Sequence, residues 1–214
     1  MELIKAYCNI TNINLDALTS IEKAGRVCYK SEDKITENSS LKFIETIMKL
    51  GHESVIEHAS ATVRFVCDRG VSHEIVRHRI ASYSQESTRY CNYGKTGVKF
   101  IIPSWCNDIE EGMFEMFSKF PEILAEKQWL SAMLDSESRY NTLLNLQWTP
   151  QQARSVLPNS LKTEIVMTAN FREWRHFLKL RTAKAAHPDM RYLAIPLLYD
   201  FKQAIPIIFD DINC

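Results

Sequence analysis

From Ser60 to Cys67 the chain alternates, with Ala61, Val63, Phe65 and Cys67 on one side and Ser60, Thr62 and Arg64 on the other. A period of two over eight residues fits one half-buried strand and no helix. Around it the period changes to that of helices. Asp16 to Tyr29 reads as a short helix after a first strand ending within Lys5 to Thr11. Ser39 or Ser40 caps a helix whose apolar residues are Leu41, Ile44, Ile47 and Met48, and Gly51 stops it. Gly70 breaks the alternating strand, and a helix is expected from Val71 to about Arg79. Asn107 to Leu146, with only Gly112 inside it, reads as one or two helices. Thr149-Pro150 begins a short helix that Pro158 ends. Glu164 to Ala169 is a second strand, Arg172 to Arg181 an amphipathic helix, and Pro188 starts a last helix with a kink expected at Pro196. The expected class is α/β (mixed α+β), with helices predominating.

No repeat or Pro/Gly/Ser-rich linker divides the 214 residues, so a single domain spanning 1–214 is expected. The 26 basic residues cancel the 26 acidic ones, which argues against a dedicated nucleic-acid binder. The longest apolar runs, Leu193 to Tyr199 and Ile205 to Phe209, fall far short of the ~20 residues of a span. The N-terminus carries no secretory pattern, and six scattered cysteines without a Cys-x-x-Cys pair read as reduced cytoplasmic thiols. No metal site is expected, because His73 and His78 are five apart and no cysteine pair accompanies them.

The stretch HEIVRHRIASYSQESTRYCN, from His73 to Asn92, concentrates the reactive side chains. On a helix, Arg77, His78 and Arg79 project about 100° apart, so at least one points inward or toward a ligand. A buried arginine demands an anion, and a phosphate held by forked hydrogen bonds would satisfy it, helped by Ser82, Ser84, Ser87 and Thr88. A solvated, salt-bridged helix end with Glu74 and Glu86 as partners fits the same pattern. A second cluster, NFREWRHFLKLR, runs from Asn170 to Arg181. Trp174, Phe177 and Leu178 form its apolar stripe, and Arg181 stands where that stripe should continue. Either Arg181 meets a partner inside, or its stem lies on apolar surface with its head in water. Arg154 follows the Pro150 turn and reads equally as a surface cation. The loop His52-Glu53-Ser54 and Glu57-His58 is a further candidate, and Cys91 is the nearest approach to a thiol nucleophile, with an inert thiol the blander reading. No Walker loop, Gly-x-Gly-x-x-Gly turn or Gly-x-Ser-x-Gly elbow occurs.

Arg77-His78-Arg79, seven residues, then Ser87-Thr88-Arg89 resembles the signature of the flavin-dependent thymidylate synthases. His52-Glu53-Ser54 with Glu57-His58, Arg154-Ser155-Val156-Leu157-Pro158, Asn170-Phe171-Arg172 and Leu180-Arg181 are similar to further family segments in the same order. The resemblance implies a central sheet flanked by helices, not a Rossmann fold, in a homotetramer whose active sites lie between subunits. It implies FAD at Ser54, Arg77, His78, Arg79, Asn170, Arg172 and His176. Glu74, Arg77, Gln85, Glu86, Ser87, Thr88, Arg89 and Arg154 would hold dUMP, and Arg181 would contact the pyrimidine and activate C5. Methylenetetrahydrofolate would supply carbon and NADPH the reducing equivalents, in the cytoplasm, without nucleic-acid or membrane partners.

Two positions depart from the family pattern: Glu74, where glutamine is common, and His176, where asparagine is. A carboxylate only accepts hydrogen bonds, so Glu74 bears on the choice of base. Two alternatives follow, a flavin-dependent hydroxymethylase acting on dUMP or dCMP, and a non-catalytic nucleotide-binding protein of the same fold. From outside the fold's chemistry comes a helical interaction protein whose arginine-rich faces merely contact partner subunits.

Overall fold

The computed structural model describes residues 1–14, 16–115 and 118–214. In chain order the elements are β1 (Glu2–Ile4), β2 (Tyr7–Ile13), α1 (Ala17–Tyr29), α2 (Ser39–Lys49), β3 (Ser60–Asp68), α3 (Arg69–Ile75), β4 (Ala81–Gln85) and α4 (Tyr93–Thr96). There follow β5 (Lys99–Ile101), β6 (Gly112–Met113), α5 (Leu124–Asn145), α6 (Pro150–Ala153), β7 (Lys162–Asn170), α7 (Phe171–Arg181), α8 (Pro188–Ala204) and α9 (Pro206–Phe209). The class is mixed α/β with two sheets, one ordered β5-β1-β6 and the other β2-β3-β7-β4.

The chain forms two compact units. The first comprises Met1–Tyr7, Phe65–Ile75 and Ser84–Ile165. Its small sheet pairs β1 with β5 in parallel, Leu3 opposite Phe100, and with β6 antiparallel, Leu3 opposite Gly112. Leu3, Val98, Phe100, Leu130, Met133, Tyr140 and Leu161 build its apolar core. Burying side chains of this size contributes roughly 1.5–3 kcal/mol each.

The second unit comprises Cys8–Arg64, Val76–Tyr83 and Val166–Cys214. Trp174, Phe177, Phe201 and Phe209 are fully buried in it, along with Ile21, Ile44 and Ile47. The Trp174 ring meets Phe177 edge-on at 5.4 Å and Phe201 at 5.3 Å, and its Nε1–H donates to the Ala61 carbonyl at 3.0 Å. Gly25 on α1 permits a close approach: a Cβ there would stand 2.5 Å from the Phe43 ring. Phe171 enters α7 with its amide bonded to the Ala59 carbonyl, which ties the helix start to the β3 end.

Several elements depart from the expectations. The first strand is two, interrupted at Lys5 and Ala6. Leu41 is exposed, and α2 buries only Ile44 and Ile47. Gly70 lies inside the first turn of α3 rather than ending a strand before it, and α3 stops at Ile75, short of Arg79. Strands β4 and β5 had no forecast. The expected helices over 107–146 reduce to α5, which starts at Leu124; residues 116 and 117 lie outside the described part. The cause is visible at Glu126, whose buried carboxylate accepts the amides of Asn107 and Asp108 at 3.1 and 3.2 Å. A side chain thus satisfies donors that a helix would otherwise have used. Pro196 sits inside α8, which continues past it to Ala204.

Candidate active site

The residues singled out above fall into two groups, one in each unit.

In the first unit the Ser87-Thr88-Arg89 segment follows β4. Thr88 is buried and accepts a hydrogen bond from Arg154 Nη1 at 2.8 Å, although the two are 66 residues apart in sequence. The capping box of α6, Thr149 with Gln152, presents Arg154 at the end of that turn. Arg89 Nε donates to Gln151 at 2.9 Å, and its guanidinium lies over the Tyr90 ring at 5.5 Å. Gln85 donates to Ser72 and Thr163 at 3.0 and 3.2 Å, which fixes its amide. Glu86 accepts from Lys162 at 2.9 Å and from the Tyr93 hydroxyl at 2.8 Å. Burial pushes the Tyr93 phenol far up, and its bond to Glu86 adds to that, so it stays a donor. Lys162 also holds Glu164 at 2.5 Å. Glu74 lies half-buried on α3 in this unit. Arg69 Nη1 is buried and has no hydrogen-bond partner among the described residues. Gln85, Glu86, Thr88, Arg89 and Arg154 are thus each held by hydrogen bonds within this unit, and between them they carry hydroxyl, amide, carboxylate and cationic groups. Cys91 packs against the apolar core of this unit, as an inert thiol would.

The second unit carries Ser54, Arg77, His78, Arg79, Asn170, Arg172, His176 and Arg181. The Arg77-His78-Arg79 run leaves α3 through a turn at Val76 and Arg77 and is not helical. The inward-pointing member is His78, 3% exposed, while Arg77 and Arg79 face solvent. One member of the run thus points inward, as the spacing requires, and it is the histidine rather than an arginine. The turn is held by Tyr83, whose hydroxyl donates to the His78 carbonyl at 2.6 Å.

Helix α7 faces His78 with three residues spaced i, i+4 and i+8: Glu173, Phe177 and Arg181. That spacing puts all three on one face over roughly 12 Å of helix. His78 Nδ1 lies 2.8 Å from Glu173 Oε1, and Arg181 Nε donates to His78 Nε2 at 3.1 Å. The Phe177 ring packs on the imidazole at 4.7 Å. Burial lowers the His78 pKa below its usual value, and the Arg181 charge lowers it further against the pull of Glu173. His78 is therefore neutral at pH 7, with Nδ1 as donor and Nε2 as acceptor. Arg181 is half-buried, which resolves its two sequence readings: it continues the helix face by meeting an imidazole.

Asn170 caps α7 through its side-chain oxygen, which accepts from the Glu173 amide at 2.9 Å. Asn170, Arg172, Glu173, His176 and Lys179 line a cleft of about 560 Å³ together with Glu53, Glu57, Ile80 and Arg175. Arg172 pairs with Glu57 at 2.5 Å, both exposed. Ser54 is exposed on the 3-10 turn Glu53–His58. His78, Glu173 and His176 bring one donor atom each within 4.8 Å of the others. Both nitrogens of His78 are already engaged, Nδ1 by Glu173 and Nε2 by Arg181, and His176 meets it only through a ring contact at 5.4 Å.

Two buried ionic residues of α7 went unforeseen, Arg175 and Glu173. Arg175 binds Asp211 with a fork of 2.5 and 2.7 Å and reaches Glu53 at 3.2 Å. The hydrogen bonds from Arg175 hold the Asp211 carboxyl below the usual carboxylate range. Glu173 was readable in principle from its i, i+4, i+8 relation to Phe177 and Arg181. In the first turn of a helix, however, an acid passes as a dipole partner.

The fold and this pair of residue groups define an enzyme family. The family model described as thymidylate synthase complementing protein matches residues 10–207, and the chain belongs to that family. A flavin-dependent thymidylate synthase from Corynebacterium efficiens is 37% identical over 210 residues, covering 89% of this chain and 78% of that one. One of the same name from Geobacter sulfurreducens is 34% identical, covering 92% and 82%. Among solved structures, a UMP/dUMP methylase from Streptomyces cacaoi bound with 5-Br dUMP superposes with a TM-score of 0.77. It is 25% identical and is matched over 98% of this chain and 96% of its own. The chain is thus a methyltransferase of the flavin-dependent thymidylate synthase type. No helix among the described residues is long and apolar enough to cross a membrane.

Proposed function

We propose that this chain methylates dUMP at C5 to give dTMP, with methylenetetrahydrofolate as carbon donor, NADPH as reductant and FAD as the bound flavin. The observation that carries the nucleotide assignment is the Arg154–Thr88 hydrogen bond, which joins two family segments distant in sequence into one polar surface. Gln85, Ser87, Arg89 and Arg154 supply donors and positive charge for a sugar phosphate there, and Glu86 supplies an acceptor. The solved dUMP methylase with its bound dUMP analogue supports the same reading.

For the flavin, the residues of the second unit fit. FAD brings a diphosphate, and Arg77, Arg79 and Arg172 are exposed cations, with Asn170 and His176 offering polar contacts at the cleft. The Arg172–Glu57 pair is an exposed surface ion pair of the kind that contributes little, so Arg172 can exchange it for a phosphate. A volume of about 560 Å³ lies within the range of small-molecule and cofactor sites. When bound and reduced, flavin mediates the carbon transfer and provides hydride. Ser54 and His176 orient it, His78 supports it only through the residues its ring nitrogens hold, and Arg181 contacts the pyrimidine and favours the ionised base, making C5 nucleophilic. Glu74 is read as a residue near the nucleotide, where it is a tolerated replacement for glutamine. The chain is read as one catalytic domain over 1–214, working as a homotetramer in the cytoplasm, a setting that suits six free thiols.

Titration calorimetry with dUMP tests the nucleotide site. Arg154→Ala removes a cation from a phosphate-binding surface and should weaken dUMP binding by on the order of tenfold or more. The 5′-phosphate-free nucleoside should bind both proteins equally poorly. Unchanged dUMP affinity in the variant would remove Arg154 from the site.

A further inference from the structure

We propose that Glu173 is a positioning residue for the reaction: it fixes the buried His78 as the Nδ1–H tautomer, whose bare Nε2 then holds the guanidinium of Arg181. This rests on the reading of Arg181 as the pyrimidine contact.

The argument is one of donor counting. Arg181 Nε carries only a hydrogen to give, so the atom 3.1 Å away, His78 Nε2, must be a lone pair. A cationic imidazole has a hydrogen on both nitrogens and would set two donors and two positive charges against each other. The neutral Nε2–H tautomer fails for the same reason. Only the Nδ1–H form satisfies both contacts, and it needs an acceptor at Nδ1, which the Glu173 carboxylate provides at 2.8 Å. A free neutral imidazole prefers its hydrogen on Nε2, so without Glu173 the intrinsic preference would oppose the Arg181 contact.

The surroundings leave few substitutes. His78 and Glu173 are 3% and 8% exposed, so water has little access to the pair. Among the described residues, Glu173, His176, Phe177 and Arg181 from α7 face His78, as does Tyr83 from β4, which uses its hydroxyl on the His78 carbonyl. None of these besides Glu173 is a carboxylate. A carboxylate orienting an imidazole that in turn sets a second group is a recurring device in enzyme sites.

Two measurements on the purified protein test this. The first reads the His78 ring nitrogens by ¹⁵N NMR at pH 8 in protein as isolated, without substrate. Wild type should show Nδ1 protonated and Nε2 bare, and Glu173→Ala should reverse them. The second is steady-state kinetics. Glu173→Ala should lower kcat by about tenfold to a hundredfold, with KM for dUMP changed much less. Glu173→Gln, which keeps an acceptor oxygen, should lose less. It should also move the acid limb of the kcat profile to lower pH, because the carboxylate that raises the His78 pKa is gone. An unswitched tautomer in Glu173→Ala, a switched tautomer with unchanged kcat, or an unmoved acid limb in Glu173→Gln would each overturn the proposal. The NMR arm needs no turnover, so its failure is distinct from a wild-type protein that makes no dTMP.

Discussion

Arg181→Ala should keep the fold and the bound flavin yet lose turnover by on the order of 10²–10³-fold, the usual effect of removing one charged donor aimed at developing negative charge. The fold should survive because Arg181 stands at the last residue of α7, half-buried, whereas the helix is anchored by Trp174, Phe177 and Leu178 below it. The flavin should survive because the cleft cations, Arg172 and Lys179, are separate residues. Arg181→Lys should recover little. Its ammonium has no Nε–H in a fixed plane, so it cannot both reach His78 and present a fork to the base. Stopped-time assays on flavin-matched protein give the rate, and flavin absorbance gives the loading. Wild-type turnover in Arg181→Ala would show that the guanidinium has no part in the chemistry.

The largest stability effect is expected at Trp174. Its side chain is fully buried, packs against Phe177 and Phe201, and donates to the Ala61 carbonyl on β3. Trp174→Ala should cost about 3–5 kcal/mol, from lost transfer energy, a cavity, and a carbonyl left without its donor. Trp174→Phe keeps most of the packing and should cost about 1–2 kcal/mol, chiefly the lost N–H. Urea midpoints of the three proteins measure this. Because α7 also carries Glu173 and Arg181, activity should decline with the same variants once the folded fraction falls. A midpoint for Trp174→Ala within error of wild type would mean that α7 is not anchored through this ring.

Much of the second unit was legible because its elements obey one period each. The alternation from Ser60 gave β3, and Trp174, Phe177 and Leu178 gave α7 with the buried face the structure has. Arg181 was legible as an anomaly, since a cation stood where the stripe continued. What it meets was not, because His78 is distant in sequence and its orientation depends on Glu173. The Arg77-His78-Arg79 turn was misread as helix for a related reason. Its local sequence allows a helix, but burying one imidazole against α7 and bonding its carbonyl to Tyr83 favours a turn. The 107–123 segment failed similarly, since the Glu126 carboxylate, arriving from α5, satisfies amides that the sequence leaves unassigned. Tertiary partners override local propensity in each case. The residues proposed for the nucleotide come from the family motif rather than from periodicity, because β4 is a short strand with polar alternate positions.

The central claim is the reaction, and the mass of its product tests it most directly. FAD-loaded protein is incubated with dUMP, methylenetetrahydrofolate and NADPH, with dCMP in a parallel reaction. The account predicts a product one CH₂ heavier than dUMP, identical to dTMP, and none from dCMP. A hydroxymethylated nucleotide in either reaction, or no change in mass of dUMP, would contradict it.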